Sequence, residues 1–473
     1  MKREVKIAIS LYVIADYIFA ALAWIVFLYY RKNLIEPQTV NTFAQSLTQK
    51  DIFNFLFFVP IFWCILHTFS GAYFNPYRKS RIIEVYRTLI ISILGTILFY
   101  FFIFIDDDHN DIHYYYKSFF IYFILQFGAT SFGRFLVLNH IKNQINNGKF
   151  GYNTLIIGGN TQAVQLYKEI VLNRVKLGYI FKGFVYAYDS GNNGLNEFLP
   201  KLGSVDELEK IIDDHHIEEI IIAIDTSEHD KLQSILAQLS HRKVIIKITP
   251  DLYDIISGSV KTSNVFGTVL IEIYPELMPD WQRVLKRTID IVVSVLVMII
   301  FSPLYIFAAI KVKLSSPGTI FYKQERIGIY GKPFWIYKFR SMKQNAEDKG
   351  PALSSESDPR ITKWGKVMRK WRIDEIPQFF NILKGEMSLV GPRPERKYYI
   401  DIISETYPHY KYLHKVKPGL SSWGMVKYGY AENVNQMIER MKYDLLYIKN
   451  CSLVLDFKIM IYTIIVILQG RGK

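Results

Sequence analysis

Cysteine is nearly absent from this chain. Its 473 residues include 2 cysteines, Cys64 and Cys451, and each lies in or beside an apolar run. Two thiols so placed cannot build a disulfide framework or a four-cysteine zinc site, and nothing in the sequence requires an oxidising compartment. Disulfide-rich secreted modules and zinc-finger modules are therefore excluded.

Acidic residues are scarce in the C-terminal part of the chain. Residues 1–275 carry 25 basic and 25 acidic side chains, whereas residues 276–473 carry 32 basic and 18 acidic ones, which accounts for the whole net charge of +14. Such an excess fits a domain that faces anionic lipid or phosphorylated substrates. Nucleic acid is the rival partner, but no nucleic-acid-binding motif occurs, so we expect none.

A glycine is missing from the one segment that resembles a dinucleotide fingerprint. Residues 150–250 alternate β-branched runs with helical segments, which predicts a Rossmann-type parallel sheet. The predicted strands are Thr154–Gly158, Phe181–Tyr188, Glu219–Ile224 and Lys243–Ile248. In the first turn, Asn160 replaces the glycine that lets backbone approach a pyrophosphate. We predict a structural or regulatory Rossmann-like domain without a cofactor; dinucleotide binding is the alternative.

Long apolar runs are abundant. Four of them, Ile7–Tyr30, Ile52–Ser70, Thr88–Ile105 and Ser118–Leu138, approach the ~20 residues needed to cross a bilayer. The second connection is basic and the third is acidic, so positive-inside logic places the N-terminus and everything after His140 in the cytoplasm. We predict a multi-pass membrane protein with a four-helix bundle at residues 1–145.

A fifth apolar run, Val284–Ile310, has basic residues at both ends and Ser302-Pro303 inside it. Proline interrupts helical hydrogen bonding, so we predict a re-entrant membrane helix whose two ends stay cytoplasmic. The alternative is that this run crosses the membrane as a fifth span, which would place the basic C-terminal domain outside the cytoplasm. A last run, Leu453–Leu468, carries Asp456 and Lys458 and predicts an amphipathic helix on the membrane or packed within the domain.

The predicted fold class is thus an α-helical transmembrane bundle, an α/β Rossmann-like domain at 146–275, and a mixed α/β monotopic domain at 276–473. The last domain holds an adjacent acidic pair, Asp374-Glu375, among several arginines. Carboxylates can attack phosphorus or hold Mg²⁺, and guanidinium groups bind phosphate with two hydrogen bonds. An exposed helix start, with its acids at the positive end of the dipole, is the alternative.

Seven ordered motifs in this domain identify a resemblance. Residues 281–470 closely resemble the bacterial sugar transferases, that is, polyprenyl-phosphate hexose-1-phosphate transferases, and the preceding bundle and Rossmann-like domain resemble the long form of that family. The motifs are Lys286-Arg-x-x-Asp290, Ser302-Pro303, Gln324-x-Arg326-x-Gly328, Lys338-Phe-Arg-Ser-Met342, Asp358-Pro-Arg-Ile-Thr362, Arg372-x-Asp374-Glu375-x-Pro-Gln378 and Gly391-Pro-Arg-Pro-Glu395.

The resemblance implies transfer of hexose-1-phosphate from a UDP-sugar to undecaprenyl phosphate with release of UMP. This reaction initiates exopolysaccharide, capsule or O-antigen (lipopolysaccharide) synthesis at the cytoplasmic face of the bacterial inner membrane. Asp374 would be the nucleophile that forms a covalent phosphosugar intermediate, Glu375 would assist it, and both would hold Mg²⁺. The expected partners are downstream glycosyltransferases and a second copy of the chain in a homodimer. The sequence does not identify the sugar that is transferred or the polymer that is started.

Further residues receive candidate roles. Arg340 and Arg393 are the first choices for phosphate ligands, although each could instead pair with a structural carboxylate. Arg369 and Arg372 lie three apart and would share one face of a helix, where Arg372 could bind a phosphate or lipid headgroups. The remaining candidate substrate ligands are Lys338, Arg326 and Arg360. Lys286, Arg287, Asp290, Ser302 and Pro303 would anchor the re-entrant helix, a role that could be wholly structural.

One segment departs from the family pattern. Members commonly read Pro-Gly-Ile-Thr-Gly-Trp-Ala-Gln-Val, whereas this chain reads Pro418-Gly-Leu-Ser-Ser-Trp-Gly-Met-Val426, so that Ser422 and Met425 replace glycine and glutamine. The difference bears on the preference for sugar or nucleotide.

Two other functions are the alternatives. A membrane-bound nucleotide-sugar dehydratase or epimerase would need a complete glycine fingerprint and a Tyr-x-x-x-Lys pair, and Tyr407 to Lys411 lies far from the sheet with Pro408 inside it. A non-catalytic scaffold of polysaccharide machinery is the second alternative.

Overall fold

The computed structural model describes residues 2–31, 49–103, 112–159, 161–172, 178–186, 194–224, 229–239, 241–249, 270–273, 277–344, 346, 350, 358–429 and 431–469. These fall into two compact units. One contains residues 1–151 with 175–178, and the other contains 152–174 with 179–473. The second unit holds both the sheet and the C-terminal region, and the predicted domain boundaries at 145 and 275 stay predictions.

The first unit is helical. Its helices are α1 (Arg3–Tyr30), α2 (Gln49–Phe53, continued by the π-turn Asn54–Phe58 and by Val59–Phe69), α3 (Arg81–Ile103) and α4 (Ile112–Asn146). All four are long and apolar enough to cross a membrane, which confirms the predicted spans. The acidic connection at 106–111, used for the topology prediction, lies outside the described residues.

An aromatic cluster fills the interior of the bundle. Trp24, Trp63, Phe99 and Tyr122 are almost fully buried and pack against one another. Trp63 Nε1 donates to the Tyr122 hydroxyl at 2.8 Å, so the polar atoms of these two rings partner each other in the apolar interior.

A buried ion network also lies within the bundle. Arg134 of α4 donates from Nε and Nη2 to Asp16 of α1 at 2.9 and 2.7 Å. Its Nη1 donates to Glu84 at 3.1 Å and to Thr88 at 3.0 Å, both on α3. Lys79 pairs with Glu84 at 3.1 Å. Opposite charges thus satisfy one another where an unpaired charge would be very costly.

The second unit begins with a six-stranded sheet of order β3-β2-β1-β4-β5-β6. The first five strands are parallel and β6 is antiparallel to β5, which confirms the predicted Rossmann-type topology. The strands are β1 (Tyr152–Gly158), β2 (Tyr179–Tyr186), β3 (Lys201–Ser204), β4 (Glu219–Ala223), β5 (Ile245–Ile248) and β6 (Ile271–Ile273). The connecting helices are α5 (Thr161–Leu172), α6 (Leu208–Asp214) and α7 (His229–Leu239).

The end of β1 approaches the neighbouring strand closely. Gly158 has φ +152°, and a Cβ at this position would collide with the Ala223 carbonyl oxygen. Glycine is therefore required here for packing between β1 and β4. Asn160 lies outside the described residues, and whether this turn binds a ligand stays a prediction.

The C-terminal region starts with a bent helix pair, α8 (Asp280–Ile300) and α9 (Ser302–Ser315), whose axes differ by 64°. The break falls at the predicted Ser302-Pro303, with Pro303 in the first turn of α9 and the Ser302 hydroxyl donating to Ile299 O at 2.8 Å. The bend agrees with the predicted interruption; a re-entrant path through a bilayer stays a prediction.

The remaining elements pack around a main apolar core, and a smaller apolar cluster joins α9 to Phe339 and Met368. The strands form the antiparallel hairpin β7 (Phe321–Ile327) with β8 (Pro333–Phe339) and the parallel pair β9 (Ser388–Val390) with β10 (Gly419–Ser421). The helices are α10 (Lys363–Lys370), α11 (Gln378–Lys384), α12 (Lys397–Thr406), α13 (Trp423–Lys427), α14 (Val434–Lys449) and α15 (Leu453–Leu468), with 3₁₀ segments at Ile373–Glu375 and Pro408–Lys415.

Polar contacts attach α8 to this core. Arg287 donates to the carbonyls of Ile382 and Leu383 at the end of α11, at 2.6 and 2.8 Å. Buried Asp290 accepts from Leu389 N at 2.9 Å and from Ser388 Oγ at 3.1 Å. These contacts hold α8 against neighbouring elements, and an anchoring role for both residues in a re-entrant membrane helix stays a prediction.

Lys286 explains the unusual charge in the last apolar run. It pairs with Asp456 of α15 at 2.6 Å and donates to Val390 O at 2.9 Å. The other Asp456 oxygen accepts from the Tyr447 hydroxyl at 2.7 Å. Helix α15 therefore turns Asp456 inward, while apolar residues such as Phe457 and Ile461 are exposed, as expected for an amphipathic helix.

Candidate active site

The acidic pair lies in a short turn between two helices. Thr362 caps α10, its Oγ1 accepting from Gly365 N at 2.9 Å, and the helix ends at Lys370. Arg372 then adopts a left-handed conformation with φ +53°, and Ile373–Glu375 forms one 3₁₀ turn. The prediction that Arg369 and Arg372 share a helical face is therefore wrong, because the chain reverses between them.

The pair is also not an exposed helix start. Asp374 is 7% exposed and Glu375 is 5% exposed. Burial of two adjacent carboxylates is costly unless cations compensate them.

Three cations surround Glu375. Lys338 of β8 donates to Oε1 at 2.9 Å, and Arg393 Nη2 reaches the same oxygen at 3.4 Å. Arg372 Nη1 lies 3.7 Å from Oε2. Three of the predicted ligands thus meet at one carboxylate, although they are separated by up to 55 residues in the chain.

The two acids have opposite pKa shifts. Burial raises the pKa of both carboxyls, but at Glu375 the charges of Lys338, Arg393 and Arg372 outweigh burial and hold its pKa well below the ordinary value. At Asp374 burial prevails, reinforced by the negative charge of Glu375, so its pKa is raised. Glu375 is a fixed anion that orders the cations, whereas Asp374 titrates nearer to neutrality.

Asp374 differs from Glu375 in its contacts as well. Within the described part of the chain, its carboxylate takes part in no hydrogen bond or ion pair, although Lys338, Arg369 and Arg372 are near enough to favour its charged form. A buried carboxylate that no donor occupies keeps its lone pairs available to attack an electrophile. Perturbed pKa values of this kind mark functional sites.

Residues of the segment that differs from the family pattern, 418–426, contact Arg393 or residues next to it. Its Nη1 donates to Met425 Sδ at 3.0 Å. Asp444 of α14 accepts from Gly424 N at 2.9 Å and also from Ser422 and the backbone of Arg393. The two departures from the family pattern, Ser422 and Met425, therefore lie directly around a candidate phosphate ligand.

The other predicted ligands do not reach the acidic pair. Arg360 forms an ion pair with Asp358, with its Nη2 at 2.6 Å from Oδ2, and donates to Ala346 O at 3.0 Å. Arg326 pairs with Glu395 at 3.1 Å. Arg340 donates from Nη2 to Ser316 O at 2.7 Å. Arg360 and Arg326 thus each pair with a carboxylate, whereas Arg340, for which a structural carboxylate partner was the alternative, forms no ion pair with any of the described residues.

Several contributing residues were not identified from sequence. Arg440 pairs with Glu395 at 2.6 Å, so Glu395 bridges Arg326 and Arg440 beneath the Arg393 loop. Asp444 is likewise absent from the sequence prediction. Both lie on α14, about 50 residues beyond Arg393, and no local motif points from that helix back to the site.

The fit of a divalent cation can be judged from the acids present. Among the described residues no cluster of three or more His, Cys, Asp or Glu side chains exists. However, Mg²⁺ is commonly bound through one or two carboxylates together with substrate phosphates and water. Buried Glu375 Oε2 lacks a hydrogen-bond partner and Asp374 is unoccupied, so the pair fits a cation brought in with a phosphorylated substrate.

Comparison with known proteins agrees with this geometry. Residues 281–470 match the family described as bacterial sugar transferase, and residues 68–250 match a family described as CoA-binding domain. A UDP-glucose:undecaprenyl-phosphate glucose-1-phosphate transferase of Escherichia coli K12 is 31% identical over 318 residues, which cover 66% of this chain and 68% of that protein. The chain belongs to the bacterial sugar transferase family. The family resemblance inferred from the motifs is thereby confirmed.

Two further relatives show the range of similarity. A UDP-N-acetylgalactosamine-undecaprenyl-phosphate N-acetylgalactosaminephosphotransferase of Aeromonas hydrophila is 43% identical over 217 residues, 46% of this chain and 51% of that protein. An uncharacterized sugar transferase of Haemophilus influenzae is 32% identical over 350 residues, 69% of this chain and 71% of that protein. The chain thus spans about half of the Aeromonas relative, and the named relatives differ in their sugars.

Proposed function

We propose that this family member transfers a hexose-1-phosphate from a UDP-sugar to undecaprenyl phosphate and releases UMP. The observation that carries the proposal is the buried Asp374 carboxylate, which accepts from no donor among the described residues and is adjacent to Glu375 with its three cations. The names of the relatives supply the substrate classes. Neither the dehydratase or epimerase alternative nor the scaffold alternative finds support in the family.

The first step forms a covalent intermediate. An Asp374 carboxylate oxygen attacks the phosphorus that carries the sugar, and the bond from that phosphorus to the bridging oxygen breaks, so that UMP leaves with the electron pair. In the second step, a phosphate oxygen of the lipid attacks the same phosphorus and restores the carboxylate. Because both substrates are anions that repel each other, two successive displacements avoid their direct encounter.

The surrounding cations supply electrostatic stabilisation. Lys338, Arg372 and Arg393 converge on Glu375, so their charges are fixed before a substrate enters. Donors fixed in a water-poor site stabilise charge on a transferred phosphoryl group far better than donors in water. Mg²⁺ held by Asp374 and Glu375 would add neutralisation of the phosphate oxygens.

The membrane arrangement completes the proposal. The four apolar helices and the bent α8–α9 pair favour a multi-pass protein of the bacterial inner membrane, with α8 and α9 re-entrant and the catalytic domain on the cytoplasmic face. Initiation of exopolysaccharide, capsule or O-antigen synthesis, a homodimer, and transfer of the product to downstream glycosyltransferases belong to the same proposal.

The test is UMP release by the detergent-purified full-length chain from a panel of UDP-sugars, with and without undecaprenyl phosphate and Mg²⁺. Multiple-turnover release that requires one sugar, the lipid and Mg²⁺ supports the proposal and names the donor. No release with any donor, from a folded preparation, favours the scaffold alternative.

A further inference from the structure

Arg340 is a buried cation without a compensating charge. It follows β8, two residues after Lys338, and is 6% exposed. Its Nη2 donates to the Ser316 carbonyl, but Nε and Nη1 are buried and have no hydrogen-bond partner among the residues that the structure describes. In the described part of the chain no carboxylate forms an ion pair with it, and burial alone lowers its pKa.

Two features surround the unpartnered nitrogens. Gly318, with φ +121°, lies against Arg340 Nη1, and a Cβ there would collide with this nitrogen and lie 2.8 Å from Gln344 Oε1. The Ser316 hydroxyl is also buried without a partner. The loop after α9 thus leaves room for the guanidinium group and adds a second unused hydrogen-bond donor.

A charged group buried in this way is expensive unless a counterion compensates it. The unused donors are guanidinium N–H groups and a hydroxyl, which suit the oxygens of a phosphate monoester. The Arg360 guanidinium, by contrast, is already satisfied by Asp358. Arg340 therefore has capacity for an anion that the neighbouring arginine lacks.

The position of the cluster indicates where the anion comes from. Ser316 directly follows α9, the second arm of the bent apolar pair, on which Ile306, Ile310 and Leu314 are exposed. A lipid whose chain contacts this apolar arm would bring its headgroup to the end of the helix. A soluble donor has no comparable reason to bind here.

We propose that Arg340 and Ser316 form a phosphate-monoester site, distinct from the cation cluster on Glu375, that takes the headgroup of the polyprenyl phosphate acceptor. This inference rests on the proposed function, which supplies the acceptor.

The test measures equilibrium binding of farnesyl phosphate, and separately of inorganic phosphate, to the full-length chain in nanodiscs. Hydrogen bonds to charged groups contribute about 1.5–3 kcal/mol, so Arg340→Gln should raise the Kd for farnesyl phosphate by about tenfold or more. Ser316→Ala, which removes one hydroxyl, should raise it about threefold. Lys313→Gln, an exposed charge change on the same helix, is the matched control and should leave binding and turnover unchanged.

Exchange between UMP and UDP-sugar without lipid gives the second readout. Arg340→Gln should raise the KM for undecaprenyl phosphate in turnover more than the KM for UDP-sugar in exchange. Three results would each overturn the lipid assignment. The first is an equal or larger change in the donor KM, and the second is unchanged farnesyl phosphate binding in a folded variant. The third is binding of inorganic phosphate that is as tight as that of farnesyl phosphate. If the wild type lacks exchange with every donor, the proposed function fails, whereas farnesyl phosphate binding still reports on Arg340.

Discussion

Two buried charge clusters in this protein are built in opposite ways. In the helical bundle, Arg134 donates to both oxygens of Asp16 and to Glu84, and Lys79 completes the pairing. In the catalytic region, Glu375 is surrounded by cations, but adjacent Asp374 has no hydrogen bond among the described residues and Arg340 keeps two unused nitrogens. One cluster satisfies its own charges; the other leaves charges unsatisfied.

The difference separates structural charges from reactive ones. A network whose donors and acceptors are all used can fix helices but has nothing left to offer a substrate. An unpaired buried carboxylate reduces stability, and active sites keep such groups because the reaction needs them. The pairing state, more than the presence of charged residues, therefore indicates which cluster performs chemistry.

The largest effect is expected at Asp374. Asp374→Asn removes the carboxylate that we propose as the nucleophile, so transfer should fall by on the order of 10³-fold or more. Because the change also removes a desolvated, unpaired charge, the unfolding midpoint should stay unchanged or rise. Activity and thermal unfolding of the same preparation test both effects, with exposed Asp401→Asn as control. Near-normal turnover would remove Asp374 as the nucleophile.

The bundle network should respond in the opposite way. Arg134→Met removes the cation that pairs with buried Asp16 and leaves Glu84 with Lys79 and the more distant Arg87. Breaking a buried pair typically costs about 3–5 kcal/mol. We expect a clearly lower unfolding midpoint in detergent. Arg242→Met, which breaks a pair of half-exposed residues, should lower it far less. Equal effects of the two changes would contradict a structural role for the network.

Asp444 should make stability depend on pH. Burial raises its pKa from 3.8 to about 6, so between these values the folded protein binds a proton that the unfolded chain releases. Stability is therefore expected to fall as pH rises from about 4 to about 6, by about 3 kcal/mol at 1.36 kcal/mol per unit. Asp444→Asn should remove this component of the slope. If the free energy of unfolding changes with pH in the same way for the wild type and for Asp444→Asn, Asp444 does not titrate in this pH range.

The smallest effect is expected at Met425. Met425→Gln replaces the sulfur that accepts from Arg393 with a carbonyl oxygen, a stronger acceptor. We expect a change of a few-fold, about 2–5, in the KM for the UDP-sugar, because both side chains accept from the charged guanidinium and only the acceptor strength differs, which is a part of the about 1.5–3 kcal/mol of such a hydrogen bond. Met425→Leu, of similar size but without an acceptor, is the matched control. Identical KM values for the wild type and the two variants would show that the contact between Arg393 and Met425 has no effect on use of the UDP-sugar.

Local patterns in the sequence predicted most of the fold. Apolar runs located the four membrane helices, and β-branched runs located four of the six strands, because hydropathy and periodicity act within single elements. The Ser302-Pro303 break was predictable for the same reason. Strand β3 reads Lys-Leu-Gly-Ser, without a β-branched residue, and β6 has only 3 residues, so neither shows such a run.

Long-range pairing was much less predictable. The partners Asp16 and Arg134 are 118 residues apart, and Asp444 supports Arg393 from another helix. Asp358 occupies Arg360, and a left-handed residue at Arg372 ends the helical register that sequence spacing implied. The motifs identified candidate site residues. Tertiary packing determines which of these residues contact one another, and spacing along the chain does not encode that packing.

The central claim is that Asp374 is the nucleophile, and quenching the reaction tests it most directly. The full-length chain would be mixed with the UDP-sugar that releases UMP, without lipid, quenched in acid and digested for mass spectrometry. The account predicts one equivalent of UMP and a sugar-phosphate adduct on the peptide containing Asp374, absent from Asp374→Asn. UMP release only when lipid is present, with no adduct on that peptide, would contradict it.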